Sequence, residues 1–322
     1  MSVARAEVTN DLENEQEAEA DRDGNELEAT VTGPTVTFSE DAPGGNGRLT
    51  SSDTSWFPPA CYYAPTYTPE QYRAYWDELS SEFYGAGHLP EDKEALRQDL
   101  EETYGENGQY PNYNIDKQGE GMFWTVVRNA NHPDEEARYA CEFRTFWVDF
   151  GQPPPDEPGV LDTEMLAELA YERVRVPETE IEWNPAGAQT VNLATWIWLD
   201  EAEFEPVSVT ASLDTYGLWA TATATPVALT VDPGTADAVT HPATGECAGL
   251  GEPYREGLAE QEPPCGVTYL RATGEAGAHP LTASLTWEIT WEGSDGAGGM
   301  LPDGVFETSY DITVEEIQTI IK

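Results

Sequence analysis

The stretch 281–291 constrains this chain more than any other. Leu281, Ala283, Leu285, Trp287, Ile289 and Trp291 alternate with Thr282, Ser284, Thr286, Glu288 and Thr290. That period of two sends one set to each face of a β-strand. A strand with two tryptophans on its apolar face needs a second layer to cover them. Segments of the same texture precede and follow it at 191–199, 207–213, 218–225, 227–231, 267–271 and 306–314. Turn residues separate them at the spacing of an antiparallel sandwich. Residues 181–322 are therefore expected to form an antiparallel β-sandwich or similar two-layer fold, closed by 315–322 as a last strand or a helix.

Upstream, the pattern changes to a smaller α+β domain over 55–150. Thr68 can cap a helix, Pro69 suits its first position, and Gln71 completes a capping box. Tyr72, Tyr75, Trp76, Leu79 and Phe83 then share one face, and Gly85 ends the helix. A second helix runs from Pro90 to Tyr104, with Leu96, Leu100 and Tyr104 inward and Gly105 as its stop. Residues 122–128 and 140–150 are aromatic and β-branched and read as strands. Residues 151–180 read as a proline-rich linker and a helix that opens at Asp162 and Thr163 and stops before Pro177.

Residues 1–54 read as an acidic, largely disordered tail that adds at most an edge strand around 29–38. A dense acidic run over 7–28 is followed by Thr, Ser, Gly and Pro. Ala4-Arg5-Ala6 has the small-x-small form of a signal-peptide cleavage site without the preceding apolar segment. A processed end and an accidental match both fit it.

Charge narrows the partners. The chain carries 61 acidic and 15 basic residues, a formal net charge of -46. Such a surface repels phosphate backbones and anionic lipids, which argues against nucleic-acid and membrane-surface partners. Two readings of the acidity stand: adaptation to high salt, and a surface for cations or a basic partner. Both expect a fold that loosens in low salt. No run of about 18 apolar residues could span a bilayer.

No catalytic signature stands out. His88, His132, His241 and His279 lie far apart in loop-like sequence and read as surface histidines. Residues 293–299 lack the Gly-Lys-Ser/Thr ending of a phosphate loop and read as a hairpin connection. Paired carboxylates discriminate nothing among 61 acids. Asp232 with Asp237, and Asp295 with Asp303, are candidates for calcium, weighed against plain turn aspartates. Tyr62, Tyr63 and Tyr67 are candidates to face a ligand, weighed against packing around a bridge. No cofactor is expected.

The four cysteines, Cys61, Cys141, Cys247 and Cys265, include no Cys-x-x-Cys pair. Of three connectivities, the domain boundaries suggest Cys61 with Cys141 and Cys247 with Cys265. Disulfides place the chain in an oxidising compartment, extracellular or at the cell surface.

Several motifs together carry a resemblance. They are Leu193-Ala194-Thr195-Trp196-Ile197-Trp198-Leu199-Asp200, Ala220-Thr221-Ala222-Thr223-Ala224-Thr225-Pro226-Val227, and Cys265-Gly266-Val267-Thr268-Tyr269 after the Gly-rich loop from Cys247. Leu285-Thr286-Trp287-Glu288-Ile289-Thr290-Trp291 and Gly298-Gly299-Met300-Leu301-Pro302 complete them. The region 160–322 resembles a family of uncharacterised exported actinobacterial proteins whose C-terminal part is similar to the immunoglobulin-like domain named after polycystic kidney disease. That domain's Trp-Asp-Phe-Gly-Asp-Gly turn has only an echo here, in Trp291-Glu292-Gly293-Ser294-Asp295-Gly296. The resemblance implies export and no defined reaction. The expected function is that of a non-enzymatic exported or cell-surface binding or assembly module, with a protein or cell-envelope partner and scope for self-association. The alternative is a secreted acidic hydrolase with a carboxylate pair in the cleft between its domains.

Overall fold

The computed structural model describes residues 36–40, 45–200, 202, 204–258, 261–274 and 277–317. In chain order, β1 (Thr37–Glu40), β2 (Gly47–Arg48) and β3 (Thr50–Ser51) precede β4 (Cys61–Tyr67), helices α1 (Pro69–Gly85) and α2 (Pro90–Tyr104), β5 (Gly121–Arg128), the single turn α3 (Glu135–Arg138) and β6 (Phe146–Asp149). Helix α4 (Thr163–Arg173) leads to β7 (Arg175–Val176), β8 (Glu182–Asn184), β9 (Gln189–Thr190), β10 (Ala194–Trp198) and β11 (Val207–Leu213). The last strands are β12 (Leu218–Asp232), β13 (Ala238–His241), β14 (Gly266–Tyr269), β15 (His279–Gly293), β16 (Gly298–Ile312) and β17 (Val314–Glu315). Strand exceeds helix by 39% to 22%, so the protein is mostly β, as its alternating segments require.

A six-stranded antiparallel sheet in the order β1-β11-β12-β15-β16-β3 forms the backbone of the fold. Its inner face bears the apolar set of β15: Leu281, Ala283, Leu285, Trp287 and Ile289 are all at most 2% exposed. Each fully buried leucine or isoleucine in that row contributes roughly 1.5–3 kcal/mol. Trp291, expected to join them, is half-buried near the end of the strand.

Two different layers cover this face. Over one half lies the four-stranded sheet β13-β14-β10-β8. Its Ile197, Val267 and Tyr269 meet Leu281 and Ile312 around a void of only about 10 Å³. This is the expected antiparallel sandwich. Over the other half lies α4, packed on β11, β12 and β15. The sheet can take a helix there because the inward residues of β12 are Ala220, Ala222 and Ala224, all fully buried, and α4 answers with Ala167 and Ala170. Small residues on both surfaces let the backbones approach at interior packing density.

The sequence splits β12 at Pro226, because proline cannot donate to a ladder. The structure instead runs one strand through it. The register slips between Pro226 and Ala228, and the inward positions change from Ala224 to Leu229 across that bulge. The extra residue absorbs the proline without ending the strand.

The expected linker is also corrected. Leu161, Leu166, Ala167, Leu169, Ala170 and Tyr171 are buried in one continuous core that runs from Tyr62 to Val314. The helix is a layer of the sheet's cover, so 55–150 and 181–322 share a core instead of meeting through a spacer. Where it is described, the tail adds an edge strand at 37–40, beyond most of the 29–38 expected for one, and a second, unexpected edge strand. β1 pairs with β11 and β3 pairs with β16, because the large sheet has open edges on both sides to receive them. Residues 1–35 and 41–44 lie outside the described residues.

The smaller unit contains the sheet β4-β5-β6, with α1 and α2 beside it. The capping box of α1 forms as expected between Thr68 and Gln71. Strand β6 is confined to Phe146–Asp149, shorter than the 140–150 expected, because Cys141 is held to Cys61 and draws the preceding residues off the sheet. Tyr72, Tyr104 and Phe123 centre a second, aromatic core. Its hydroxyls are joined, with Tyr72 Oη 2.9 Å from Tyr104 Oη and 2.8 Å from Thr145 Oγ1. Both bridges form in the paired sense, with Cα separations of 6.0 Å for Cys61–Cys141 and 5.1 Å for Cys247–Cys265. Among the described residues no helix is long and apolar enough to cross a membrane.

Candidate functional site

A concavity lies where the smaller unit meets α4 and the N-terminal strands. It is a cleft of about 310 Å³. One wall is the segment from Arg48 to Ser51, a second is Trp56, Phe57 and Pro58, a third is Asn129 with Asn131 to Pro133, and the base is Tyr171, Glu172 and Val174 at the end of α4.

Local chemistry sets each wall. Asp53 accepts hydrogen bonds from the Ser55 backbone N–H at 2.9 Å and from Ser55 Oγ at 2.6 Å, which folds a turn and aims the next two rings inward. The same bonds hold its carboxyl below the usual range. Trp56 stacks on Tyr171 at 5.2 Å, and Phe57 sets its edge to His132 at 5.4 Å while remaining 46% exposed.

Opposite, Asn129 organises the loop after β5. Its Oδ1 accepts from the Asn131 N–H at 3.0 Å, its carbonyl accepts from the His132 N–H at 3.1 Å, and its Nδ2 reaches Glu172 Oε2 at 3.4 Å. His132 Nδ1 in turn accepts from the Asp134 N–H at 3.2 Å, and Asp134 caps α3. This loop continues to Cys141, so the Cys61–Cys141 bridge fastens the whole wall to the start of β4. The Tyr171 hydroxyl is buried at the base and finds no hydrogen-bond partner among the described residues. Burial pushes it well above the usual tyrosine range, and Asp303 nearby adds to the shift.

Arg48 in the first wall belongs to a group of three arginines. Arg48 on β2 stands directly opposite Arg175 on β7, with Arg173 two residues before it. Arg175 Nη1 donates to the carbonyls of Glu172 at 3.0 Å and Val174 at 2.8 Å, satisfying the open C-terminus of α4. Arg173 lies over the Phe38 ring at 4.9 Å.

A carboxyl with unusual chemistry sits close behind. Burial, and after it the charge of Glu164, push Glu168 up to about 7, while the Trp56 indole works the other way.

No protein-family model, curated protein or solved structure matches the chain.

The residues singled out in the sequence lie elsewhere. Tyr62 and Tyr63 are buried at 7% and 5%, so they are core residues and do not face a ligand. Burial pushes Tyr62 up to about 12, and Tyr63 Oη donates to the Glu142 carbonyl at 2.7 Å. Tyr67 packs on Tyr75 at 5.3 Å, in the aromatic core.

The calcium candidates are not brought together, and among the described residues no group of three or more metal-ligating side chains exists. Asp232 accepts from the Gly234 N–H at 2.9 Å, Asp237 pairs with Arg271 at 3.3 Å, and Asp295 accepts from the Ala297 N–H at 2.9 Å and from Thr163 Oγ1 at 3.0 Å. Asp303 contributes its backbone carbonyl, which accepts from the Ser52 N–H at 2.7 Å. Three histidines read as surface residues are half-buried instead, His132 in the cleft wall and two in the sandwich. His241 bonds Glu262 at 2.7 Å and Thr268 at 2.9 Å, and His279 stacks on Tyr269 at 5.4 Å.

Proposed function

We propose that this protein is a non-enzymatic binding module that works outside the cytosol, with the cleft as its ligand seat. The observation that carries the reading is Phe57. It is a large apolar ring, 46% exposed, held by a purpose-built turn at the mouth of a cleft that the protein's own core does not fill. The cleft's volume falls at the lower end of small-ligand sites, and its mix of aromatic rings with a few convergent polar groups has their character. The two disulfides support an oxidising environment. The resemblance to exported proteins with a polycystic-kidney-disease-type domain belongs to the same reading, as does an envelope partner.

The test is a binding screen of immobilised glycans and envelope polymers in molar salt. Phe57→Ala weakens the captured ligand by about tenfold, the usual scale for an exposed aromatic anchor, and leaves the melting temperature unchanged. A ligand bound equally by Phe57→Ala places the seat elsewhere.

A second reading rests on Glu168. A carboxyl at about 7 is tuned for a general acid, and Glu172 follows it by one helical turn at the cleft's base. As a hydrolase the protein turns over glycan or peptide substrates, and Glu168→Gln abolishes turnover without changing the fold.

A further inference from the structure

We propose, resting on the cleft as a binding seat, that its ligand is an acidic polysaccharide whose carboxylates are held by Arg48 and Arg173 while its sugar rings lie against Phe57.

With 61 acids to 15 bases, an arginine in this chain is surrounded by potential partners. Yet among the described residues none of Arg48, Arg173 and Arg175 has a carboxylate within ion-pair distance. Instead they face one another. Arg48 and Arg175 are directly opposed on paired strands, an arrangement that costs stability between like charges. The mutual repulsion, after burial, also lowers the affinity of Arg175 for its proton. Arg175 is occupied by the end of α4, but Arg48 and Arg173 are exposed, and Arg48 forms part of the cleft wall. An Arg48 without an ion-pair partner in the cleft wall, with the exposed Arg173 acting on the same Arg175 from beyond the wall, is complementary to an extended anion supplied from outside. Guanidinium groups take carboxylates bidentately, so a carboxylated ligand fits them better than a point-charge partner would.

The rest of the cleft favours sugar over peptide. Phe57 offers a ring face, and Asn131 offers an amide, which donates to and accepts from hydroxyls alike. The overall charge of -46 does not forbid an anionic ligand. At about 1 M salt the Debye length is about 3 Å, so distant carboxylates are screened and contact-range pairing decides.

The test is titration calorimetry in molar sodium chloride with three probes: a short oligogalacturonate, the same oligomer fully methyl-esterified, and oligoglutamate. The acid oligomer binds, the ester binds at least about tenfold more weakly, and Arg48→Gln weakens the acid form by about tenfold while leaving the ester unchanged, the scale of one charge-assisted hydrogen bond. Arg173→Gln provides the same reading should Arg48→Gln fail to fold. Equal binding of acid and ester, or an acid form indifferent to both substitutions, overturns the charge assignment and leaves the seat standing. Oligoglutamate bound as tightly as oligogalacturonate overturns the sugar assignment in favour of an acidic peptide. No binding of any probe, together with an empty glycan screen, overturns both the inference and the reading beneath it.

Discussion

Replacing Ala222 by leucine tests whether the alanine row is what seats α4 on the sheet. Ala222 is fully buried on β12, flanked by Val209 on one side and Trp291 on the other, with the helix above. An isobutyl group in place of the methyl has nowhere to go except into the helix, and overpacking of this kind costs about 1–3 kcal/mol. Leu166→Ala on the buried face of α4 costs about 2–5 kcal/mol by opening a cavity. Combined, the new leucine fills part of that cavity, so the double variant is less destabilised than the sum by about 1–2 kcal/mol. Thr225→Leu, on the outer face of the same strand, changes stability by less than about 0.5 kcal/mol. The assay is urea unfolding in molar sodium chloride, followed by circular dichroism and tryptophan fluorescence. An Ala222→Leu protein as stable as the parent, or strictly additive single effects, refutes the helix-on-alanine packing.

Other expectations concern the bridges and the buried acid. Mild reduction of the native protein frees Cys61 and Cys141 before Cys247 and Cys265, because the first pair is half-buried and the second only 4% and 1% exposed; alkylation and peptide mass mapping read the order, and the reverse order contradicts it. The Cys61–Cys141 bridge closes a separation of 80 residues, so its loss costs about 4.5 kcal/mol in the chain-entropy account. It also releases the His132 wall of the cleft. Glu168 makes stability depend on pH. Its folded pKa is raised from 4.5 to about 7, so the folded state holds a proton that the unfolded state has lost, and stability falls as pH rises through that window. After allowance for solvent screening at this partly exposed group, Glu168→Gln gains about 1–2 kcal/mol at pH 8 and flattens the slope. An unchanged slope in unfolding curves between pH 4.5 and 7 would count against the raised carboxyl.

The parts of the fold legible in the sequence are those whose signal is local. Thr68, Pro69 and Gln71 announce α1 because capping is settled within four residues, and the alternation of 281–291 announces β15 because pleat and periodicity are the same thing. Pro226 misleads because whether a bulge can absorb a proline depends on the partner strand. The helix at 163–173 shows its start through Asp162, but nothing in its own residues says that a row of alanines some fifty positions later will receive it. The cleft is harder still. Arg48, Phe57, Asn129, His132 and Glu172 belong to four separate segments with no shared spacing, and only the sudden aromatic pair Trp56-Phe57 hints at it. Tyr62 and Tyr63 mislead for a related reason, since a tyrosine beside a cysteine looks the same in sequence whether its ring faces solvent or the core.

The pairing of β3 with β16 has a consequence for timing. Ser51 meets Gly304, so the edge strand made among the earliest described residues waits for a partner about 250 residues later. At about 5–20 residues per second that wait is roughly 13–50 s of synthesis. During it the chain completes α1, α2, β4–β6 and then α4 with the Tyr171 that seats Trp56, but not the sheet that α4 covers. All the residues that line the cleft are thus made by Val174, but the sheet that seats α4 is completed only with β16, and a chain threaded through a membrane before folding would lose nothing by the delay.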